Sequence, residues 1–342
     1  MSEETKEKLR QAGKRGAAIR FGTETGETTG VLPEVPNLLA KHPETVKMDD
    51  LTFDPNLFTL MKTGKPIDIL LSSEGGMPRA VNFMVIGDPG VGKTTVTMDI
   101  IADLEASGAD VLFVSAEMDR VDLYKYVQRY PKFGNLDILF MGEYLDENPK
   151  LIMEEIFNKG YDVILIDSFI EVQDSIKEAC HTSTSSTEKY LIDLMKKQNK
   201  GENDRKKYTS FLCIQQIGKG GEFRGSMKLK HNTHGMMELR FDDDGSPYAM
   251  FEKNRRGTVG KKMYFDLKHS GDVLYDQDRF HLEEQRQIAI ELEKASIKEE
   301  ALDFDDFMTE QPLSEELVSA EGDDGERPEI PVTHIGTEQM PG

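Results

Sequence analysis

Short apolar runs alternate with amphipathic segments through the middle of the chain. Each run has four to seven residues and is rich in Val, Ile, Leu and Phe, which is typical of a strand buried on both faces. The predicted strands are residues 80–86, 111–114, 136–141, 163–166 and 211–214. Helical patterns fall at residues 95–104, 121–130, 151–158 and 190–198. This alternation predicts an α/β fold with a mostly parallel sheet covered on both faces.

The pattern changes after residue 216. Four short segments follow, separated by turns such as Asp243-Asp244-Gly245, and they predict antiparallel strands that extend the sheet. These segments are residues 236–241, 248–252, 262–267 and 273–275. Residues 284–300 have a helical pattern. From residue 301 the chain is acidic and poor in aliphatic side chains, which predicts a disordered tail.

Three regions follow from these patterns. Residues 1–50 are polar and are interpreted as a flexible leader, with an arm that packs on a neighbouring subunit as the alternative. Residues 51–282 form the core, with a short helix predicted within 51–61 and a Ser/Thr-rich loop at 182–188. Residues 283–342 form a helix followed by the acidic tail.

The central glycine turn carries the most specific chemistry. Residues 83–95 read FMVIGDPGVGKTT and match the phosphate-loop pattern G-x-x-x-x-G-K-[ST] between a predicted strand and a predicted helix. Glycines leave room for backbone N–H groups to face phosphates, and the following helix offers its positive end. Lys93 would reach the terminal phosphates and Thr94 would bind Mg²⁺. The predicted ATP-binding residues are Gly87, Asp88, Pro89, Gly90, Val91, Gly92, Lys93, Thr94 and Thr95.

Three polar residues follow other predicted strands. Asp167 ends YDVILID and is predicted to order Mg²⁺ beside the phosphate loop. Glu117 ends VLFVSAE, and its spacing fits equally a group that activates water and a solvent-exposed glutamate. Gln216 could sense the γ-phosphate, although a polar residue at a strand end is an ordinary feature. Ligands of parallel sheets bind at the carboxyl ends of the strands, so these side chains are expected to meet.

A basic, glycine-rich stretch follows Gln216. Residues 219–230 read KGGEFRGSMKLK, which suits contact with a nucleic-acid backbone and stacking of an aromatic ring on bases, but also suits a solvated loop. The predicted DNA-binding residues are Lys219, Phe223, Arg224, Lys228 and Lys230. His231 and His234 have an H-x-x-H spacing without further ligands, so no metal site is predicted there.

Charge and composition restrict the class of protein. The net charge is −21, but residues 283–342 hold 18 acidic and 4 basic residues, so the bulk charge says little about the core. Cys180 and Cys213 form no C-x-x-C pair, so a zinc finger is not expected. No apolar run approaches the length of a membrane span and the first residues are charged, which favours a cytoplasmic protein.

Together these motifs resemble the ATPase core of the RecA superfamily. The nearest resemblance is to bacterial RadA branch-migration proteins, with DnaB-type helicases next. Residues 219–231 are similar in spacing to the RadA pattern K-x-G-x-x-x-G-x-x-x-L-x-H. Residues 253–257, KNRRG, resemble K-N-R-F-G of RadA and K-Q-R-N-G of DnaB. The resemblance covers about residues 67–280.

The resemblance implies further roles. Glu117 would be the catalytic glutamate and Asp167 the Walker B acid. Lys253 and Arg255 would reach the ATP site of a neighbouring subunit in a ring or filament, and residues 219–230 would face DNA. The chain departs from RadA because it carries neither a four-cysteine module nor the protease-like domain, and Gln216 is closer to recombinases of the RecA kind.

The leading hypothesis is a DNA-dependent, oligomeric ATPase that acts on single-stranded DNA in recombination or repair, with ATP and Mg²⁺. A DnaB-like replicative helicase and an ATP-dependent regulatory protein that binds no DNA are the alternatives. The acidic tail, which has Phe304 and Phe307 among its first acids, would dock a protein partner or compete with DNA; a merely solubilising tail is the competing interpretation.

Overall fold

The computed structural model describes residues 45–216 and 226–310. The chain divides into two units, and the boundary between them follows Phe53. In the described part of the first unit, Met48–Asp50 forms a single 3-10 turn. The second unit contains the sheet, its helices and the candidate site. The predicted leader up to residue 44 and the tail from residue 311 lie outside the described residues.

The strands of the second unit are β1 (Asn82–Gly87), β2 (Val111–Ser115), β3 (Asp137–Phe140), β4 (Val163–Asp167), β5 (Ser210–Ile214), β6 (Gly235–Phe241), β7 (Pro247–Asn254), β8 (Met263–Leu267) and β9 (Val273–Tyr275). The helices are α1 (Ile67–Leu71), α2 (Lys93–Ala106), α3 (Arg120–Arg129), α4 (Pro149–Asn158), α5 (Phe169–Ala179), α6 (Thr184–Asn199), α7 (Met227–Asn232) and α8 (Gln277–Glu310).

The described strands form one nine-stranded sheet in the order β3-β2-β4-β5-β1-β6-β7-β8-β9. The five pairs from β3 to β6 in that order are parallel, and the three pairs from β6 to β9 are antiparallel. The predicted class is therefore confirmed: a mostly parallel α/β sheet extended by antiparallel strands.

Strand β1 is the fifth of the nine strands in the sheet, and every one of its residues is buried. Phe83 and Val85 pack into the apolar layer that contains α2, and Met84 packs into the opposite layer. Strand β4 follows the same alternation, with Leu165 in the first layer and Ile164 in the second. Two buried layers explain why these strands read as continuous apolar runs in the sequence.

Residues 236–241 were predicted to pair only with antiparallel strands, and this is wrong for one of their two neighbours. Strand β6 runs antiparallel to β7, but it runs parallel to β1, with Phe83 opposite Gly235. The chain after β5 returns to the amino edge of the sheet before β6 begins, where the N–H of His234 donates to the carbonyl of Asn82. A return of this kind gives parallel strands.

Several helix boundaries also differ from the predictions. Helix α5 was not predicted, although Phe169, Val172 and Ile176 give it a buried face. Helix α6 begins within the predicted loop 182–188, because the Ser183 hydroxyl accepts from the N–H of Ser186 and caps it.

Two predictions near the ends of the core need correction as well. Within 51–61 only the 3-10 turn Pro55–Phe58 forms. Helix α8 extends to Glu310, so residues 301–310, which were predicted to be disordered, are helical. Within the described ranges, no helix is both long and apolar enough to span a lipid bilayer.

Candidate nucleotide-binding site

A cavity of about 450 Å³ opens at the carboxyl ends of the central parallel strands. It joins the phosphate loop to the residues that end β4 and β5 and to the loop after β2. Its lining residues are Gly87, Pro89, Gly90, Gly92, Lys93, Thr94, Thr95, Glu117, Tyr126, Asp167, Ile214 and Gln216. The predicted phosphate-binding, metal-binding and water-activating residues therefore meet in one place. Of the predicted loop residues, Asp88 and Val91 do not line the cavity, and Val91 is buried in the core.

The phosphate loop is fixed to β6 as well as to β1. Gly87 has φ 151°, and a methyl group there would overlap the carbonyl oxygen of Leu239. The N–H of Asp88 donates to that same carbonyl at 3.1 Å. The Asp88 carboxylate accepts from Arg240 Nη1 at 3.0 Å and from the N–H of Phe241 at 3.3 Å. Main-chain and side-chain hydrogen bonds from β6 therefore fix the first residues of the phosphate loop.

Lys93 lies in the hollow of this loop. Its ammonium donates to the carbonyl oxygens of Gly87 and Asp88, each at 3.0 Å. Burial lowers the pKa of Lys93, while the nearby carboxylates of Asp167 and Asp88 oppose that shift. An ammonium held among loop carbonyls can exchange those partners for phosphate oxygens, which are stronger acceptors.

Thr94 and Asp167 form a pair of oxygen ligands. The Thr94 hydroxyl donates to Asp167 Oδ2 at 2.6 Å. Asp167 is only 3% exposed, and burial raises its pKa to about 6; the Thr94 hydrogen bond lowers it and the Glu117 carboxylate raises it. Hydroxyl and carboxylate oxygens at the phosphate end of a nucleotide cavity are the ligands that Mg²⁺ prefers. These residues fit Mg²⁺.

Glu117 and Gln216 face each other across the mouth of the cavity. Gln216 Nε2 donates to Glu117 Oε1 at 3.2 Å. The glutamate is exposed, so its carboxylate can contact water, while the glutamine amide links it to the end of β5. The sequence left the function of Glu117 open from spacing alone, and the contact places it beside the phosphate-loop residues.

Tyr126 is a cavity residue that the sequence analysis missed. Its hydroxyl lies 2.7 Å from the hydroxyl of Thr95, at the start of α2. Helix α3 brings it there because the Asp119 carboxylate caps the helix, accepting from the N–H groups of Val121 and Asp122. A tyrosine three residues after Leu123 on an amphipathic helix gives no sign in the sequence of facing a ligand.

The basic pair Lys253 and Arg255 lies at the opposite end of the sheet from the cavity, where the parallel strands begin. Asn254 pairs with Gly235 at the amino end of β6, so this pair is remote from its own phosphate loop. Lys253 Nζ donates to the carbonyl oxygens of Lys230 and Thr233 at 2.9 and 2.8 Å, at the end of α7. Burial lowers the pKa of Lys253. Arg255 is exposed and contacts the His231 carbonyl at 3.4 Å.

The predicted DNA-binding residues are covered only in part. Lys219, Phe223 and Arg224 lie outside the described residues, and the side chain of Lys228 does too. Lys230 forms an ion pair with Glu252 at 3.0 Å.

His234 makes a structural contact with the start of β1. Its Nδ1 accepts from the N–H of Asn82 at 3.0 Å. Burial lowers its pKa to about 4, with the nearby Arg255, Arg256 and Lys253 acting in the same direction. The imidazole is therefore neutral at physiological pH and holds the amino edge of β1 to the chain before β6.

A phosphate loop after the central strand of this sheet, with strands ordered β3-β2-β4-β5-β1-β6, agrees with the resemblance to ATPases of the RecA superfamily. Among proteins of that superfamily, the chain is similar to RadA. It is 25% identical over 260 residues to the DNA repair protein RadA of Campylobacter jejuni, covering 75% of this chain and 55% of that protein. It is 24% identical over 202 residues to RadA of Chlamydia trachomatis, covering 58% and 41%.

The chain thus spans about half the length of the curated relatives that it matches. No protein-family model matches it. Among solved structures, it is similar to a KaiC-like protein from Pyrococcus horikoshii OT3, with a TM-score of 0.49, 18% identity and coverage of 64% of this chain and 99% of that one. The flagellar accessory protein FlaH from Methanocaldococcus jannaschii gives a TM-score of 0.49, 14% identity and the same coverage.

Proposed function

We propose that this protein hydrolyses ATP with Mg²⁺ as a homo-oligomer and acts on single-stranded DNA in recombination or repair. The observation that carries the proposal is the meeting of Lys93, the Thr94–Asp167 pair and the Glu117–Gln216 pair in one cavity. A cytoplasmic location is part of the proposal.

Each residue has a defined task in this reaction. Lys93 leaves the loop carbonyls and binds the terminal phosphates, and Thr94 and Asp167 hold the metal. Bound Mg²⁺ would neutralise charge on the β- and γ-phosphates. Glu117 orients the attacking water and accepts its proton, which is the task of a carboxylate beside the γ-phosphate. The hydrogen bond from the Gln216 amide to Glu117 then couples the position of Glu117 to the end of β5.

The first experiment tests ATP hydrolysis directly. Lys93→Ala should abolish turnover because the phosphates lose their cationic contact. Glu117→Gln should retain ATP binding, while hydrolysis becomes about a hundredfold slower or more, as expected for loss of a general base. Lys125→Ala, at an exposed position on α3, is the control and should retain activity. Normal turnover by Glu117→Gln would remove this residue from the mechanism.

The position of Arg255 supports a site shared between subunits. Because it lies at the amino edge of the sheet, it cannot serve the phosphate loop of its own chain, whereas a neighbour stacked head to tail would meet it. A cation supplied by a neighbour stabilises the charge of the transition state. Lys253 would have to leave the α7 carbonyls to take part.

Mixing variants tests the shared site. Arg255→Ala should bind ATP but hydrolyse it slowly, and mixing it with Glu117→Gln subunits should restore some turnover, because some mixed interfaces hold one intact site. Arg256→Ala, one residue further along the same loop, is the matched control. Absence of rescue from a protein that stays monomeric would contradict the shared site.

Support for DNA as the partner comes from the basic stretch 219–230 in the sequence and from the relatives, which are named DNA repair proteins. ATPase rates with and without single-stranded DNA test it, alongside DNA binding by fluorescence anisotropy. Stimulation that is lost in Lys230→Ala together with Arg224→Ala supports the proposal. ATP hydrolysis without any DNA binding would favour the regulatory alternative, and strand separation driven by ATP would favour the helicase.

A further inference from the structure

Tyr126 lines the nucleotide cavity, and its hydroxyl has no task in the proposed hydrolysis. It lies 2.7 Å from Thr95 Oγ1, one residue beyond the predicted magnesium ligand Thr94. Its ring is held from behind by Tyr130, at 4.8 Å between ring centroids, and by Phe133, stacked at 6.0 Å. The aromatic cluster therefore aims this hydroxyl at the first turn of α2.

The two hydroxyls together can offer a proton to a third group. Each hydroxyl has one proton to donate, and the contact between them uses one of the two. Burial raises the pKa of Tyr126 to about 12, so the phenol stays protonated at neutral pH. Tyr126 lines the same cavity as Asp167, the predicted metal ligand. A neutral donor in a partly buried cavity suits an anionic oxygen.

We propose that Tyr126, paired with Thr95, is a nucleotide-binding residue whose hydroxyl donates to the phosphate nearest the nucleoside. The proposal rests on the proposed ATP site and deepens it. Lys93 and Thr94 serve the terminal phosphates and the metal, and Thr95 is the next residue along the same turn. Backbone N–H groups of the loop hold the α- and β-phosphates. The Thr95–Tyr126 pair adds a side-chain donor for the α-phosphate.

This contact would also connect two parts of the site. Helix α3, which carries Tyr126, begins directly after the loop that holds Glu117. A nucleotide that binds to the pair would fix α3 against α2. The position of Glu117 would then depend on whether the nucleoside end of the cavity is occupied.

The test compares Tyr126→Phe with Tyr130→Phe. Both variants lose one phenol hydroxyl from the same aromatic cluster, but Tyr130 does not line the cavity. Calorimetric titration with Mg²⁺-ATP and Mg²⁺-ADP should show about tenfold weaker binding of both nucleotides to Tyr126→Phe, the order expected for a hydrogen bond to a charged group. Tyr130→Phe should bind both within about twofold of the natural protein.

Different outcomes separate the possible explanations. Unchanged affinities in Tyr126→Phe would mean that the hydroxyl only packs, and weaker binding of ATP alone would place the contact at the γ-phosphate; either result overturns the proposal. If Lys93→Ala also leaves binding intact, the proposed ATP site itself is wrong. Should Tyr126→Phe fail to fold, Thr95→Val and Thr95→Ser replace it, and only the valine variant, which lacks a hydroxyl, should lose affinity.

Discussion

The buried carboxylate of Asp167 predicts a trade between stability and activity. Its pKa rises from 3.8 to about 6, chiefly because burial disfavours its charged form. The folded state therefore favours the protonated acid more than the unfolded state does. This contribution to stability is full at low pH and is lost as pH rises through about 6. Asp167→Asn keeps the shape and an acceptor for Thr94 but never ionises.

The size of the effect follows from the shift. About 2 pKa units at about 1.4 kcal/mol each give a cost of about 3 kcal/mol for the ionised Asp167 at pH 8. The side chain is 3% exposed, so solvent screening reduces this little. At pH 4.5 the folded acid is mostly protonated, and the cost falls to about 1 kcal/mol. Asp167→Asn should therefore be more stable than the natural protein, by an amount that grows with pH.

Urea unfolding at pH 8 and pH 4.5, without nucleotide or Mg²⁺, measures this difference. Glu117 faces the same carboxylate from the loop after β2 and Lys93 faces it from α2, so Glu117→Gln at both pH values is the control for the charge of Glu117. The variant should also lose ATP turnover, since an amide is a poor magnesium ligand. A destabilised Asp167→Asn protein, or a gain that is the same at both pH values, would refute the assignment of a burial-raised pKa.

Three further changes test other parts of the molecule. Gly87→Ala should cost about 3 kcal/mol or more or prevent folding, measured by thermal unfolding, because the added methyl overlaps the Leu239 carbonyl; a mild effect would contradict the close packing of the loop. Asp119→Ala removes the α3 cap and should lower the free energy of unfolding in urea by about 1 kcal/mol. Deleting 311–342 should strengthen single-stranded DNA binding most at low salt; equal affinities across a salt series would exclude competition by the tail.

Local patterns were enough to predict the five strands β1 to β5, although not helix α5. Runs such as 163–166 are buried on both faces, so their composition alone marks them as strands, and strand ends in a parallel sheet meet by geometry. For that reason the sequence alone predicts that Asp167 and Gln216 lie close together. The phosphate loop was predictable because its glycines, lysine and threonine serve one narrow steric demand.

The missing information was non-local. The direction of β6 depends on where the chain re-enters the sheet after β5, and the apolar pattern of 236–241 is the same for either direction. Tyr126 lies on a helix of mixed polarity, and its partner Thr95 is 31 residues away, so no spacing rule connects them. The ion pair between Arg240 and Asp88 joins residues 152 positions apart, so the sequence does not predict it for the same reason.

The bond from Asp88 to the Leu239 carbonyl has a consequence for how the protein is made. The ribosome delivers the phosphate loop early, but the strand that completes its support is about 150 residues away, which corresponds to roughly 8 to 30 s of synthesis at ordinary rates. Until then β1 has one open edge, and the loop lacks the partner that fixes its entry. A nascent chain stopped before residue 239 should therefore not retain ATP, so nucleotide can help to fold this protein only after strand β6 has been made.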